Sequence, residues 1–237
     1  MIRTVPETGS TNDDLAALAR AGAEEGHWLR ADRQTGGRGR QGREWHSPPG
    51  NLYASTLVRL RPGDPSAATL ALVAAVALQE VAAVFAPGTD VSIKWPNDLL
   101  VGGAKLSGIL LERSENAVII GFGVNLADHP ADTPRPAISL RALTGASPDP
   151  GVFAEALADA FARWLARWRG EGLAPIRAQW LAAAHPAGTA LSAAAGHGEV
   201  VDGLFDGLDQ NGGLRLRLAD GSSRVIHAGD VFLIQDP

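Results

Sequence analysis

Residues 91–124 read VSIKWPNDLLVGGAKLSGILLERSENAVIIGFGV, and short apolar runs divide them. Val91 to Lys94, Leu99 to Val101, Lys105 to Glu112 and Ala117 to Val124 each have the aliphatic and β-branched content of a strand. A Gly102-Gly103 turn separates the second from the third. Strands joined by connections this short pair antiparallel, so the stretch predicts a mostly antiparallel sheet.

Upstream, Leu70 to Phe85 reads as a buried helix and Leu52 to Leu60 as a further strand. Gly36 to Gly50 reads as a glycine-rich loop, and 28–33 as a short strand before it. An alanine- and leucine-rich helix is expected from a Ser10 cap to about Arg20, with Asp13 as a capping-box partner and Gly22 as the stop. Downstream, a connection marked by Pro130, Pro134 and Pro136 leads to a helix over 153–169. Its Phe153, Leu157, Phe161, Trp164, Leu165 and Trp168 share one face and read as core. A shorter helix covers about Pro175 to Ala184. Beyond Pro186, apolar segments separated by Gly198, Asn211-Gly212 and Asp220-Gly221 imply a small five-stranded unit. The expected fold is α+β, with domains at 1–186 and 187–237.

The formal charge of −5 argues against general binding to nucleic acid or anionic membrane, so phosphate chemistry must be local. The absence of cysteine excludes disulfides, thiolate metal sites and a cysteine nucleophile, and fits a reducing cytoplasm. No signal-type apolar run opens the chain. All of the 21 basic residues are arginine except Lys94 and Lys105. Those two therefore mark positions that need a compact ammonium, with chance clustering as the alternative.

In the loop GRGRQGREW at 37–45, glycines let backbone amides approach an anion and arginine forks match carboxylate or phosphate. It is neither a Walker A loop nor a dinucleotide fingerprint. The bland readings are a solvated linker or an Arg-Gly nucleic-acid segment, and Trp45 adds an exposed aromatic able to stack on a base. In KWPND at 94–98, Pro96 forces Trp95 into an extended or turn conformation and displays polar groups at a strand end; an ordinary turn is the alternative. Lys105 enters an apolar strand, where it is either a partly desolvated functional cation or half of a salt bridge to Glu112 or Asp98.

Taken together, Ser-Thr-Asn at 10–12, GRGRQGREW at 37–45, KWPND at 94–98, KLSGILLE at 105–112 and GFGVNL at 121–126 resemble the biotin protein ligases. The match covers most of residues 8–145, and the terminal β unit resembles the family's SH3-like domain. The resemblance implies a mixed sheet related to class II aminoacyl-tRNA synthetases, with helices mainly on one face. It also implies activation of biotin by ATP and Mg²⁺, then transfer to a lysine of a biotin carboxyl carrier protein.

By the same resemblance, Ser10, Thr11, Asn12 and Gln34 hold the biotin ring. Gly37, Arg38, Gly39, Arg40, Lys105 and Gly108 complete the biotin site, with Lys105 and Arg40 as the catalytic cations. Arg40, Arg43, Trp45, Lys94, Asn97, Lys105 and Asn125 face ATP, Trp45 covers adenine, and Asp98 handles Mg²⁺ or a proton. Motifs that begin at Ser10 imply a ligase-only type without operator binding, and no membrane partner is expected; the family also contains homodimers. The chain departs from the pattern at Ala104 and Glu44, where many relatives carry a basic residue. A lipoate ligase of the same superfamily, a nucleic-acid module and a non-catalytic biotin-binding protein are the alternatives.

Overall fold

In a computed structural model that describes residues 2–133, 135–195 and 199–234, the chain forms two sheets. The first half supplies β1 (Ile2–Thr8), α1 (Thr11–Arg20), β2 (Trp28–Gln34), β3 (Leu52–Arg59), α2 (Leu70–Phe85), β4 (Val91–Lys94), β5 (Asp98–Val101), β6 (Ala104–Ser114) and β7 (Ala117–Val124). Then come α3 (Leu140–Thr144), α4 (Pro150–Glu171), α5 (Ala174–Ala182), β8 (Ala190–Ala195), β9 (Val200–Leu208), β10 (Leu214–Arg217), β11 (Ser223–Ile226) and β12 (Gly229–Leu233). Pro134 and Gly198, each used in the sequence reading, lie outside the described residues.

The larger sheet has the order β1-β2-β3-β7-β6-β5-β4. Every neighbouring pair is antiparallel except β1 with β2. The strands read from residues 91–124 occupy one half of it, as expected. The sequence reading passed over β1, because its alternation is weak: only Ile2, Val5 and Thr8 escape full exposure on this edge strand. The short α3, capped by Ser139, was passed over too.

Successive residues of a strand face opposite sides, and here the two sides differ. One carries Leu52, Ala54, Phe122 and Ile109 into a core with α2 and α4. Ten of the sixteen residues of α2 are buried, which makes this very apolar segment a core helix. The six apolar positions expected along α4 are all buried, with the Trp168 and Trp164 indoles donating to Thr69 and Glu80. The opposite side receives only α1, through Leu15, Ala19 and Leu57, and leaves the remaining surface open.

The smaller sheet is antiparallel, with the order β11-β10-β9-β8-β12. Its apolar side joins the main core through Trp180, Phe205 and Leu214. Two hydrogen bonds tie α5 and this sheet to the KWPND region: Ile93 N donates to Ala183 O at 2.7 Å, and Trp95 Nε1 to Gly212 O at 3.1 Å. Trp95 is therefore buried structure.

Candidate active site

The open side of the larger sheet is a cavity of about 740 Å³, in the range of small-molecule sites. Its floor follows from the strand register. Tyr53 lies opposite Gly123, Gly123 opposite Gly108, Gly108 opposite Asp98, and Asp98 opposite Lys94, so one row across five strands runs from an aromatic ring over two glycines to a charged pair. Glycines in the middle of that row keep the floor low, and the Trp45 indole lies on them. A Cβ on Gly123 would come within 2.6 Å of that ring. Trp45 is thus half-buried where the sequence predicted exposure, and its Nε1 is buried without a hydrogen-bond partner among the described residues.

Asp98 sits between the two lysines, 2.7 Å from Lys105 Nζ and 3.3 Å from Lys94 Nζ. Burial works to raise its carboxyl pKa, but the neighbouring ammonium groups of Lys105 and Lys94 outweigh burial and hold it below the usual carboxylate range. Burial also pushes the Lys94 ammonium down, Arg135 and Lys105 push the same way, and Asp98 opposes them. Of the two salt bridges the sequence allowed for Lys105, the one to Asp98 forms. Asp98 is committed to two ammonium groups and does not fit the Mg²⁺ role. No cluster of three or more metal-binding side chains occurs among the described residues.

Backbone straps fix Lys105. Its N–H donates to Pro136 O at 2.8 Å, and its carbonyl accepts from Ile138 N at 3.0 Å. Asn125, expected on the ATP side, lines the cavity, but its Nδ2 donates to Lys105 O at 3.3 Å and Ile138 O at 3.2 Å, so it braces that segment. Asn97 likewise donates from Nδ2 to Ile109 O. Lys94 is buried, whereas the Lys105 side chain remains 32% exposed and faces the cavity.

At the other end, Ser10 caps α1 by accepting from Asp13 N. Thr11 donates to Gln34 Oε1 from N at 2.8 Å and from Oγ1 at 3.1 Å. Asp13 does not close a capping box; it takes two hydrogen bonds from Arg38, at 2.7 and 2.6 Å. Those hydrogen bonds hold its carboxyl below the ordinary range, opposed by a little burial. Arg38 also donates to Glu112, at 2.9 Å from Nη2 to Oε1. Bonds to both carboxylates push its pKa up. The guanidinium assigned to a substrate carboxylate is therefore engaged by two protein carboxylates.

The Arg-Gly loop is a compact turn. Gly39 N donates to Arg43 O at 2.7 Å, Arg38 bridges Glu44, and Gln41 and Gly42 both take left-handed φ. Gly37 does not line the cavity. It lies behind the loop, where a Cβ would meet Ser47 Oγ, Gln34 Nε2 and Trp45 O within 3.0 Å. Arg40 and Arg43 reach Asp230 on β12, at 3.4 and 2.6 Å. The sequence reading missed Asp230 and Arg135, which also line the cavity. Asp230 lies 187 residues from Arg43 and carries no local motif.

Every other expected site residue lines this one cavity: Ser10, Thr11, Asn12, Gln34, Arg38, Gly39, Arg40, Arg43, Trp45, Lys94, Asn97, Asp98, Lys105, Gly108 and Asn125. Six basic side chains face it against four acidic ones, so an acidic protein carries a locally positive site. The geometry provides a hydrogen-bonding end, a flat glycine-floored middle and a cationic end.

Residues 6–125 match the model of the biotin/lipoate A/B protein ligase family, and 193–234 match the biotin protein ligase C terminal domain. The chain is 42% identical over 236 residues to a biotin–acetyl-CoA-carboxylase ligase of Paracoccus denitrificans, covering 95% of this chain and 97% of that one. It is similar to a biotin protein ligase from Aquifex aeolicus solved with biotin and ATP, at 26% identity, 99% coverage of each chain and a TM-score of 0.88. It also resembles a Leishmania major biotin protein ligase in complex with biotinyl-5-AMP, at 26% identity, 96% and 98% coverage and a TM-score of 0.69.

Proposed function

Because the chain belongs to the biotin/lipoate A/B protein ligase family, we propose that it activates biotin with MgATP and transfers it to one lysine of a biotin carboxyl carrier protein of the acetyl-CoA carboxylase type. A biotin carboxylate oxygen attacks the α-phosphorus, giving biotinyl-5′-AMP and releasing pyrophosphate. The carrier lysine, as a free amine, then attacks the anhydride carbonyl, AMP leaves, and the nitrogen loses a proton. Mg²⁺ enters with ATP as part of the substrate.

Two anions must meet while negative charge builds on the α-phosphate, so the protein's task is positioning and fixed positive charge. The observation that carries the reading is the single cavity in which the Ser10–Asn12 end, the Gly108–Gly123 floor and the Lys105–Lys94 end lie in sequence. We assign biotin's ring to Ser10, Thr11, Asn12 and Gln34, and its chain to the glycine floor once the Trp45 indole that covers it has swung away. Lys105 meets both its carboxylate and the α-phosphate. Arg40 and Arg43 meet the phosphates, with Lys94 behind them, and Trp45 covers the bound adenylate. Arg38, Gly37, Asn97 and Asn125 hold these groups in place.

The same reading takes 1–186 as a synthetase-like catalytic domain and 187–237 as an SH3-like domain, in a cytoplasmic protein able to pair as a homodimer. Biotin-dependent exchange of labelled pyrophosphate into ATP tests it, with lipoate as control. Exchange with biotin alone is expected. Exchange with lipoate alone moves the chain to the sister activity, and none with either acid leaves a binding role.

A further inference from the structure

Glu112 does not line the cavity, and the salt bridge to Lys105 that its spacing allowed is not formed. It stands in the middle of a hydrogen-bonded chain. Ser55 Oγ lies 2.7 Å from Thr11 Oγ1 and 2.6 Å from Asn12 Oδ1. Asn12 Nδ2 donates to Glu112 Oε2 at 2.6 Å, and Glu112 receives Arg38, the anchor of the Arg-Gly loop.

The orientation of the Asn12 amide is decided by its surroundings. An ionised carboxylate only accepts, so the nitrogen end must face Glu112. The carbonyl end then faces Ser55 and is pressed against the backbone of Gly121, where it leaves no room for a Cβ. One of the two N–H bonds goes to Glu112, and the other has no acceptor among the described residues of a side chain that lines the cavity. What the Asn12 amide has left to offer a ligand is a donor.

We propose that Glu112 is a positioning residue: through the Asn12 amide it presents an N–H to the cyclic urea of the substrate, and through Arg38 it ties that recognition to the seat of the loop. This rests on the biotin-ligase reading. Glutamine at 112 keeps the size but turns one arm into a donor. Arg38 selects the glutamine carbonyl, so its NH₂ faces Asn12, and Asn12 turns its carbonyl towards it. The Ser55 hydroxyl accommodates the turned amide by accepting from it and giving its one proton to Thr11 Oγ1. The Asn12 contact is kept in reversed sense and Arg38 keeps its bonds to the carbonyl arm, losing only the Nη2–Oε2 contact of 3.2 Å, while the spare N–H is withdrawn from the cavity.

Glu112→Gln is therefore expected to fold, with a melting temperature lowered by no more than about 4 °C, and to raise KM for biotin about tenfold in pyrophosphate exchange, the scale of one misdirected polar contact, with kcat within about twofold. In a double-mutant cycle, Glu112→Gln should add nothing on an Asn12→Ala background. An unchanged KM overturns the proposal, as does an equal rise on both backgrounds, which would mean that Glu112 acts without Asn12. A fall in kcat together with a larger fall in melting temperature assigns Glu112 a merely structural role and overturns it too. Absence of biotin-dependent exchange in the unmodified protein overturns the ligase reading itself, and the proposal with it.

Discussion

Lys94 and Lys105 share one carboxylate, Asp98, on neighbouring strands of a single sheet, whereas Arg38, Arg40 and Arg43 reach out from one loop to carboxylates on α1, β6 and β12. The floor charges are locked by strand register and by the backbone straps on Lys105. The rim charges of Arg40 and Arg43 sit on long side chains that are 28% and 50% exposed, where ion pairs are weak and exchange easily, while Arg38, gripped by two carboxylates at once, anchors the loop. Fixed charge serves a developing transition state because it needs no reorganisation. Exchangeable charge serves a loop that must admit substrates and release product. On the proposed reading the two regions divide the work: the floor accelerates, and the rim retains.

The largest effect should come from dismantling the floor. Asp98→Ala leaves Lys94 buried without its counter-charge, and loss of one partner of a buried pair costs about 3–5 kcal/mol. Chemical denaturation should read this as a lower midpoint. The pH dependence has a definite sign. Because the folded pKa of Asp98 is depressed, its contribution is fully present above the unfolded value of about 3.9 and is lost as pH falls through the lower folded value. The variant should lack that part of the acid limb. A loss below about 1 kcal/mol, typical of exposed pairs, would erase the distinction between floor and rim.

Lys105→Ala comes next. It should fold, since its side chain is partly exposed, but adenylate formation should slow roughly 10²–10³-fold, as when a preorganised electrostatic donor is removed. Single-turnover formation of biotinyl-5′-AMP measures it, and a near-wild-type rate would remove Lys105 from the chemistry.

Much of the floor was legible because its information is local. Strand runs, the Gly102-Gly103 turn and the two isolated lysines all fall within residues 91–124. The helix at Leu70–Phe85 and the Ser10 cap were legible for the same reason. Partnership was not. Nothing near Arg38 announces Asp13 or Glu112, and nothing near Arg43 announces Asp230, because those contacts exist only once three separate elements have packed. Two residue types also misled. Trp45 looked exposed because its neighbours are glycine and arginine, yet the glycines that receive it lie on β6 and β7. Asn125 looked like a ligand group; it does line the cavity, with its NH₂ turned to two backbone carbonyls.

At the rim, Arg40→Gly should leave synthesis largely intact and let the adenylate escape. Loss of one charge-assisted hydrogen bond, about 1.5–3 kcal/mol, corresponds to release on the order of 10–100-fold faster. Labelling of bystander protein lysines should rise accordingly, and unchanged selectivity would move retention away from this arginine.

Asp230→Asn should have the smallest effect and the most informative sign. Stability should change by less than about 1 kcal/mol, since Arg43 is half exposed. The Asp230 carboxylate, however, holds Arg43 at 2.6 Å and Arg40 at 3.4 Å, which is the contact an incoming phosphate needs. If the rim exchanges partners, ATP competes with Asp230, and neutralising it should lower KM for ATP by up to about fivefold, the equivalent of roughly 1 kcal/mol. A raised KM would mean that Asp230 orients the arginines, and that the rim is as preorganised as the floor.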